Sequence, residues 1–311
     1  MEISASFAVF ILGAYGHSKI FPAIFPFMTS TVWTVRDIPY QKLPSSGDVI
    51  LDMYLNETLV PEDKVTFPSH LLWFVGLHLP FLCIFLLPRD LDFRGMKQIK
   101  KWPELAALIC ALLISLGTSE MVTNTLKLYV GRLRPNFYQL CGFDLETLQC
   151  TGTASDINQS RKSFPSGHSS LSFTGMTFLV LMLLGRSGVF STQKVTSSTT
   201  MKSPHSYIQN KLVYYLCWSP WCLSLYVASS RLVDHWHHPS DIIAGSLLGM
   251  VCAAIGYHMW FPSVFGVNCG TPLSAVLLLL EHDEDNVIIR SDDDNGYVAA
   301  ASYETAPLVG V

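Results

Sequence analysis

Three short polar clusters in this sequence contain residue types that suit the binding of a multiply charged anion. They are residues 127–135 (KLYVGRLRP), residues 165–168 (PSGH) and residues 230–241 (SRLVDHWHHPSD). Lysine and arginine bind anionic oxygens through charge-assisted hydrogen bonds, and histidine gives or takes a proton near neutral pH. If the clusters meet in space, they predict an anion site that is equipped for proton transfer.

The second and third clusters also have the pattern of helix N-termini. Residues 165–167 precede a long apolar segment, so free backbone N–H groups would face an anion there and His168 would stand in the first turn. Pro239 suits the first position of the last helix, which places Asp241 at about the third position, where the helix dipole favours a carboxylate. From there Asp241 can reach back toward His237, keeping one ring nitrogen protonated and the other free for attack.

The elements that position these clusters are predicted to be membrane-spanning helices. Half of the residues are hydrophobic and 14% are charged, whereas soluble domains carry about a quarter charged residues. A helix of about 20 apolar residues crosses the hydrocarbon core of a bilayer. We therefore expect an all-α, polytopic membrane protein with six transmembrane helices, at about residues 3–26, 65–88, 103–126, 169–185, 212–230 and 242–260.

The distribution of basic residues predicts the orientation of this bundle. The loop of residues 89–102 contains five lysines and arginines, and the loop of residues 185–211 contains four, so both loops should be cytosolic. Six helices then put both termini in the cytosol and all three polar clusters at the extracytosolic membrane edge. We expect residues 1–262 to form the membrane domain and the acidic residues 263–311 to form a largely disordered cytosolic tail.

Simpler explanations exist for each cluster taken alone. Basic residues at the end of a span often only anchor it at the interface, and PSGH or HPSD can be ordinary helix caps. Three such clusters on one membrane face favour a shared site. A transporter would place its ionisable residues at mid-membrane depth, whereas these lie at one edge. No basic face is interleaved with exposed aromatic residues, which argues against nucleic-acid binding.

The clusters resemble the motifs of the type 2 phosphatidic acid phosphatase superfamily, and in particular those of the lipid phosphate phosphatases, also called phospholipid phosphatases. The family pattern is K-x6-RP, PSGH and SR-x5-H-x3-D, and every defining position is present here at the right spacing. The three motifs are specific as a set, although they occupy a small part of the chain. The six-helix layout extends the resemblance from about residue 3 to residue 262.

This resemblance implies a role for each matching residue. His237 would attack phosphorus to form a phosphohistidine, Asp241 would orient His237, and His168 would protonate the leaving alkoxide and then activate water. The residues that would bind the phosphate oxygens are Lys127, Arg134, Arg231, Ser166 and Gly167. The resemblance implies a phosphoric monoester hydrolase that uses neither a metal nor another cofactor.

Neighbouring residues offer alternatives to these assignments. His235 and His238 are further candidates for the nucleophile, but neither matches the motif, and His238 is conformationally restricted by the proline that follows it. Asp234 is a weaker candidate for the orienting acid. Glu120 lies in or near a span, where helix packing is favoured over binding of a substrate hydroxyl group.

A site at the bilayer edge favours a substrate whose acyl tail can enter from the lipid leaflet. Phosphatidate, lysophosphatidate and diacylglycerol pyrophosphate are therefore the expected substrates. The expected partners of the chain are this lipid phosphate substrate and the lipid bilayer. The alternatives are a sphingoid-base phosphate or polyprenyl pyrophosphate phosphatase on the same scaffold, or a non-catalytic lipid-binding membrane protein. The endoplasmic reticulum, plasma membrane and vacuole all fit the predicted orientation.

The loops on the predicted extracytosolic side contain two further features. Cys141 and Cys150 share one polar loop, where a disulfide would be compatible with an oxidising compartment. Asn56 and Asn158 begin N-x-S/T sequons and are candidate glycosylation sites.

Overall fold

The computed structural model describes residues 2–15, 31–45, 47–87, 101–190, 204–266 and 268–277. Helices dominate these residues, so the predicted helical character is confirmed. In chain order they are α1 (Glu2–Tyr15), α2 (Ser69–Leu86), α3 (Lys101–Val130), α4 (Phe137–Cys141), α5 (Ala154–Gln159), α6 (Gly167–Ser187), α7 (Pro204–Val233) and α8 (Pro239–His258). Two short antiparallel hairpins pair β1 (Tyr40–Lys42) with β2 (Val49–Leu51) and β3 (Phe143–Asp144) with β4 (Gln149–Cys150).

Four of the described helices are long and apolar enough to cross a membrane, namely α2, α3, α6 and α8. They coincide with four of the six predicted spans. The predicted span 212–230 lies within α7, which is a continuous helix but is not among the four. Helix α1 covers the first part of the predicted span 3–26, and residues 16–26 lie outside the described residues. Six spans therefore stay a prediction.

Several features that were predicted to be cytosolic fall outside the described residues. They include most of the basic loop 89–102, most of the Ser/Thr/Lys-rich linker 192–206 within the second basic loop, and nearly all of the acidic tail. One compact unit runs from Met1 to Leu273, and Ser274–Val311 forms a second unit, of which the structure describes only residues 274–277. The predicted domain boundary at residue 262 stays a prediction.

Helix α6 is the central helix of the bundle. Nearly all of its side chains are buried, and it packs against α3, α7 and α8. Gly245 of α8 permits a close approach to α6, since a Cβ atom there would lie 2.5 Å from the carbonyl oxygen of Ser166. The backbone N–H of Ser166 donates to the carbonyl oxygen of Asp241 across this contact, at 3.0 Å. The first turns of α6 and α8 are thereby tied together.

The loops at this end of the bundle have a small core of their own. Its buried residues include Leu55, Leu133 and Phe137. The backbone N–H of Glu57 donates to the carbonyl oxygen of Pro135 at 3.0 Å, which holds the segment before α2 against the segment after α3. This packing matters for function because it fixes the loop that follows α3.

Candidate active site

His237 lies in the short connection between α7 and α8, where the chain turns sharply. The backbone N–H groups of Trp236 and His237 both approach the carbonyl oxygen of Arg231, at 3.1 and 3.4 Å. His235 adopts the left-handed conformation, with φ of 56°, which non-glycine residues rarely do. The turn leaves the His237 side chain buried, with 4% of its surface exposed.

The hydrogen bond of His237 determines which ring nitrogen is available for chemistry. Its Nδ1 lies 2.7 Å from the backbone carbonyl oxygen of Ser163. A carbonyl oxygen can only accept a hydrogen bond, so Nδ1 carries the proton. In a neutral ring, Nε2 then has an unshared electron pair.

The surroundings of His237 keep its ring neutral. Burial lowers the pKa of His237 to about 3. The nearby carboxylate of Asp241 acts against this shift, while the cations Arg134 and Lys127 lower the pKa further. His237 is therefore uncharged at neutral pH and has the electronic form of a nucleophile.

Asp241 occupies the third position of α8, as predicted, after Pro239 in the first turn. Its Oδ2 accepts hydrogen bonds from the Ser163 hydroxyl at 2.5 Å and from the backbone N–H of His238 at 3.0 Å. Its Oδ1 accepts from Arg132 at 2.6 Å. The Nδ1 of His237 lies 3.8 Å from Oδ2, which is too far for a hydrogen bond. Asp241 thus reaches back as expected, but it bonds the helix cap and Ser163 instead of the His237 ring.

The PSGH segment forms the start of α6, in agreement with its predicted capping pattern. Ser166 is the N-cap residue, and its hydroxyl accepts from the backbone N–H of Ser169 at 3.4 Å. A Cβ atom on Gly167 would lie 2.7 Å from the Nζ atom of Lys127, so glycine leaves room for that ammonium group. Lys127 itself lies in the last turn of α3. The Lys127 ammonium group therefore lies next to the N-terminus of α6, whose free backbone N–H groups also favour an anion.

Arg134 is held rigidly beneath the His237 turn. Its Nε donates to the carbonyl oxygen of Gln159 at 2.8 Å, and its Nη1 donates to that of Trp236 at 3.3 Å. The guanidinium also lies 4.7 Å from the centre of the Trp236 ring. Burial lowers the pKa of Arg134 to about 10, so the side chain is still a cation at neutral pH.

Arg231 forms a buried ion pair with Asp234, whose Oδ2 lies 2.6 Å from Nη2. Thr66 completes this pair, because its backbone N–H and its hydroxyl both donate to the Asp234 carboxylate, at 3.0 and 2.7 Å. Asp234 therefore pairs with Arg231 and accepts hydrogen bonds from the segment before α2, and it is not a partner of His237.

His168 connects the three sequence clusters. It interacts electrostatically with His237 and with three cations, which are Lys127, Arg134 and Arg231. Its Nε2 atom is buried, and no polar atom of the described residues forms a hydrogen bond with it. A buried ring nitrogen without a partner in this surrounding is suited to meet an oxygen of a bound anion. The residues predicted from the three motifs are therefore brought together.

The alternative residues lie in different surroundings. His235 is partly exposed, with its Nδ1 3.5 Å from Glu57. His238 directs its Nδ1 toward Asp241 at 3.2 Å. Glu120 accepts a hydrogen bond from Asn124 on the same face of α3, at 3.2 Å.

Sequence reasoning did not single out Arg132 and Ser163. Arg132 stands between two motif residues, and Ser163 lies two positions before the PSGH motif, so neither has a motif spacing of its own. Their contacts with Asp241 join residues 109 and 78 positions apart. A single sequence contains no signal that identifies such long-range pairs.

The remaining predicted features are placed as follows. Cys141 and Cys150 form a disulfide, with Cα atoms 5.3 Å apart. Asn56 is exposed, whereas the Oδ1 of Asn158 accepts from the backbone N–H of Val32 at 3.2 Å.

Among the residues that the structure describes, no three His, Cys, Asp or Glu side chains are grouped to hold a metal ion. The expected independence of metals stays a prediction.

Comparison with known proteins identifies the family. A sequence profile of the PAP2 superfamily matches residues 108–265, which is about half of the chain and contains all three motifs. The chain belongs to the PAP2 superfamily. Its membership of the PAP2 superfamily and its four apolar helices together indicate that it is an integral membrane protein.

Named relatives of this PAP2 protein are phosphatases of lipid phosphates. It is 34% identical over 164 residues to lipid phosphate phosphatase 1 of Arabidopsis thaliana, covering 50% of this chain and 46% of the relative. It is 34% identical over 160 residues to diacylglycerol pyrophosphate phosphatase 1 of Saccharomyces cerevisiae, covering 47% and 49%. It is 30% identical over 155 residues to phospholipid phosphatase 1 of Rattus norvegicus, again covering 47% and 49%.

In each of these three comparisons, the chain spans about half the length of the curated relative. No solved structure gives a significant match to the chain.

Proposed function

We propose that this chain is a lipid phosphate phosphatase that transfers the phosphoryl group of its substrate to Nε2 of His237. One observation carries the proposal: the Ser163 carbonyl engages Nδ1 of a buried, neutral His237, which leaves Nε2 free beside a group of cations. Phosphoryl transfer depends mainly on positioning and on charge stabilisation, and this arrangement supplies both.

In the first step, Nε2 of His237 attacks phosphorus and the bond from phosphorus to the alkoxide oxygen breaks. His168, in its protonated form, gives its proton to the leaving alkoxide. Lys127, Arg134 and Arg231 bind the phosphoryl oxygens. Their positive charges match the negative charge of the transferring group.

In the second step, water attacks the phosphohistidine. His168 is now neutral and accepts a proton from that water, which is the reverse of its first role. The bond between phosphorus and Nε2 breaks, inorganic phosphate leaves, and His237 returns to its neutral form with the proton still on Nδ1. Neither step requires a metal ion, because His168 donates the proton of the first step and takes one from water in the second.

The substrates proposed are phosphatidate, lysophosphatidate and diacylglycerol pyrophosphate. Two observations support a lipid substrate. The site residues stand at the ends of long apolar helices, so a phosphate headgroup could bind there while its acyl tails stay among the helices or in the bilayer. The printed names of the relatives also refer to lipid phosphates and to diacylglycerol pyrophosphate.

The proposed topology has six spans, with the site at the extracytosolic edge of the membrane domain and the acidic tail in the cytosol. The membrane is that of the endoplasmic reticulum, plasma membrane or vacuole. The disulfide between Cys141 and Cys150, which lies in the loops at the same end of the bundle as the site, supports an oxidising compartment on that side. A protease-accessible tag in residues 192–206 tests this orientation, since cleavage from the extracytosolic side of a sealed membrane would reverse it.

The decisive experiment measures phosphate release from phosphatidate by the full chain in detergent with EDTA present. We expect wild-type activity under these conditions and loss of activity in His237→Ala. His235→Asn is the matched control, because asparagine tolerates the left-handed backbone of that position. Full activity of His237→Ala would contradict the mechanism, and activity that returns only with added magnesium would contradict metal independence. A panel with sphingosine phosphate and a polyprenyl pyrophosphate separates the substrate classes.

A further inference from the structure

Arg132, Ser163 and Asp241 form a closed ring of hydrogen bonds directly behind His237. The guanidinium of Arg132 donates to the carboxylate of Asp241 at 2.6 Å. The same carboxylate accepts from the Ser163 hydroxyl at 2.5 Å. The backbone N–H of Ser163 closes the ring by donating to the carbonyl oxygen of Arg132 at 3.0 Å.

This ring of hydrogen bonds contacts His237 through one atom. The carbonyl oxygen of Ser163 accepts the Nδ1 hydrogen of His237 at 2.7 Å, whereas the Asp241 carboxylate is 3.8 Å from that nitrogen. Ser163 thus contacts His237 directly, and the other two members of the ring hold Ser163 in place. Hydrogen bonds therefore connect Asp241 to His237 through Ser163.

Arg132 supplies the positive charge that pairs with the buried carboxylate of Asp241. The Asp241 side chain is fully buried, and a buried carboxylate without a cation is strongly destabilised. Arg132 provides that cation and also donates to the hydroxyl of Ser240 at 2.7 Å. It thereby joins the loop after α3 to the first turn of α8.

We propose that Arg132 and Ser163 are positioning residues that fix the ring of His237, with Nδ1 protonated and Nε2 directed toward the phosphoryl group. The proposal rests on the phosphatase function proposed above and adds two residues that the three motifs do not define. The first motif then has two tasks. Lys127 and Arg134 bind the phosphate, while Arg132 between them supports the nucleophile from behind.

The test compares Arg132→Ala, Arg132→Lys and Ser163→Ala in the full chain. We expect Arg132→Ala to lower kcat by about 10- to 100-fold, since a small displacement of a reacting group has this effect. KM should stay within about twofold of wild type, because Arg132 does not bind substrate. Arg132→Lys should retain an intermediate kcat, since an ammonium can neutralise Asp241 but cannot reproduce the planar fork of arginine.

Chemical rescue distinguishes positioning from a general structural defect. The Arg132 side chain is 30% exposed, so guanidinium ion from solution can reach the space that Arg132→Ala leaves. Added guanidinium should restore part of the kcat of Arg132→Ala and none of that of Ser163→Ala. Arg36→Ala is the matched control, because Arg36 is an exposed arginine whose Nε donates to the carbonyl oxygen of Val130. It should keep wild-type kinetics.

A second readout does not depend on turnover. Nitrogen-15 spectra of the histidine rings report which nitrogen of His237 is protonated, with His237→Asn used for assignment. Wild type should show protonated Nδ1, and Ser163→Ala and Arg132→Ala should show a mixture of the two tautomers.

Several outcomes would overturn the proposal. They are an unchanged kcat in Arg132→Ala, a raised KM at unchanged kcat, an equal loss in Arg36→Ala, or an unchanged His237 tautomer in both ring variants. These outcomes are separable from failure of the phosphatase function. If the proposed phosphatase function fails, His237→Ala has the same activity as wild type. If only the positioning proposal fails, His237→Ala is inactive and the Arg132 and Ser163 variants give one of the outcomes above.

Discussion

The Nδ1 atom of His237 lies 2.7 Å from the carbonyl oxygen of Ser163, a residue 74 positions earlier in the chain. This contact defines the tautomer of the ring, because a carbonyl oxygen cannot donate a hydrogen. It also joins the α7–α8 turn to the segment that leads into α6. Alignment of the nucleophile with the N-terminus of α6, where the phosphate is proposed to bind, therefore depends on a backbone atom.

Stability should depend on pH through His237. Burial lowers its pKa to about 3 in the folded chain, whereas an exposed histidine has a pKa of about 6.5. Between these values the unfolded chain binds a proton that the folded chain does not, so the free energy of unfolding falls as the pH is lowered from about 6.5 toward 3. Thermal unfolding in detergent at pH 7, 6, 5 and 4 measures this effect.

His237→Asn lacks this titration, so its melting temperature should fall less than that of wild type over the same range. His70→Asn, which replaces an exposed histidine on α2, is the control and should follow wild type. Parallel curves for wild type and His237→Asn would contradict the prediction.

Arg134→Lys should impair both activity and stability. A lysine ammonium cannot donate to the carbonyl groups of Gln159 and Trp236 while also lying flat on the Trp236 ring. We expect kcat/KM on phosphatidate to fall by about 100-fold, as for loss of one transition-state donor. The free energy of unfolding should fall by about 1–3 kcal/mol.

Arg161→Lys is the matched control for this variant. Arg161 is also largely buried, lies over the Phe137 ring and donates to the carbonyl oxygen of Arg36 at 2.7 Å. Its replacement should cost similar stability and leave kcat/KM near the wild-type value. Equal kinetic losses in both variants would show that Arg134 acts only through the fold.

Gly245→Ala should disturb the site from within the bundle. The new Cβ atom would lie 2.5 Å from the carbonyl oxygen of Ser166, so α6 and α8 must separate at their first turns. We expect a loss of about 1–3 kcal/mol in stability, which is typical of overpacking, and a lower kcat because Ser166 and Asp241 move apart.

Gly256→Ala separates the loss of stability from the loss of kcat. Gly256 is in the same helix but faces Ser115 and Ala111 of α3, away from the first turn of α8. This variant should lose stability and retain the wild-type kcat. A retained kcat in Gly245→Ala as well would show that the close contact of the two helices is not required for the geometry of the site.

The local features of this protein could be predicted from its sequence because they depend on near neighbours in the chain. Long apolar segments form the helices α2, α3, α6 and α8. Ser166 caps α6, and Asp241 takes the third position of α8, because capping involves residues only a few positions apart. The resemblance to the family pattern, with Arg231 and Asp241 at the matching spacing, identified His237 as the nucleophile candidate.

Only the tertiary structure decided which acceptor binds His237 and which cation binds Asp241. The sequence suggested a direct pair of His237 and Asp241, because a carboxylate at the third position of α8 can reach back to a residue just before the helix. Folding instead inserts Ser163 between them and brings Arg132 to the carboxylate. Hydrogen bonds require donor and acceptor within about 3 Å, and that proximity arises here from the packing of α3, α6 and α8, which no local spacing determines.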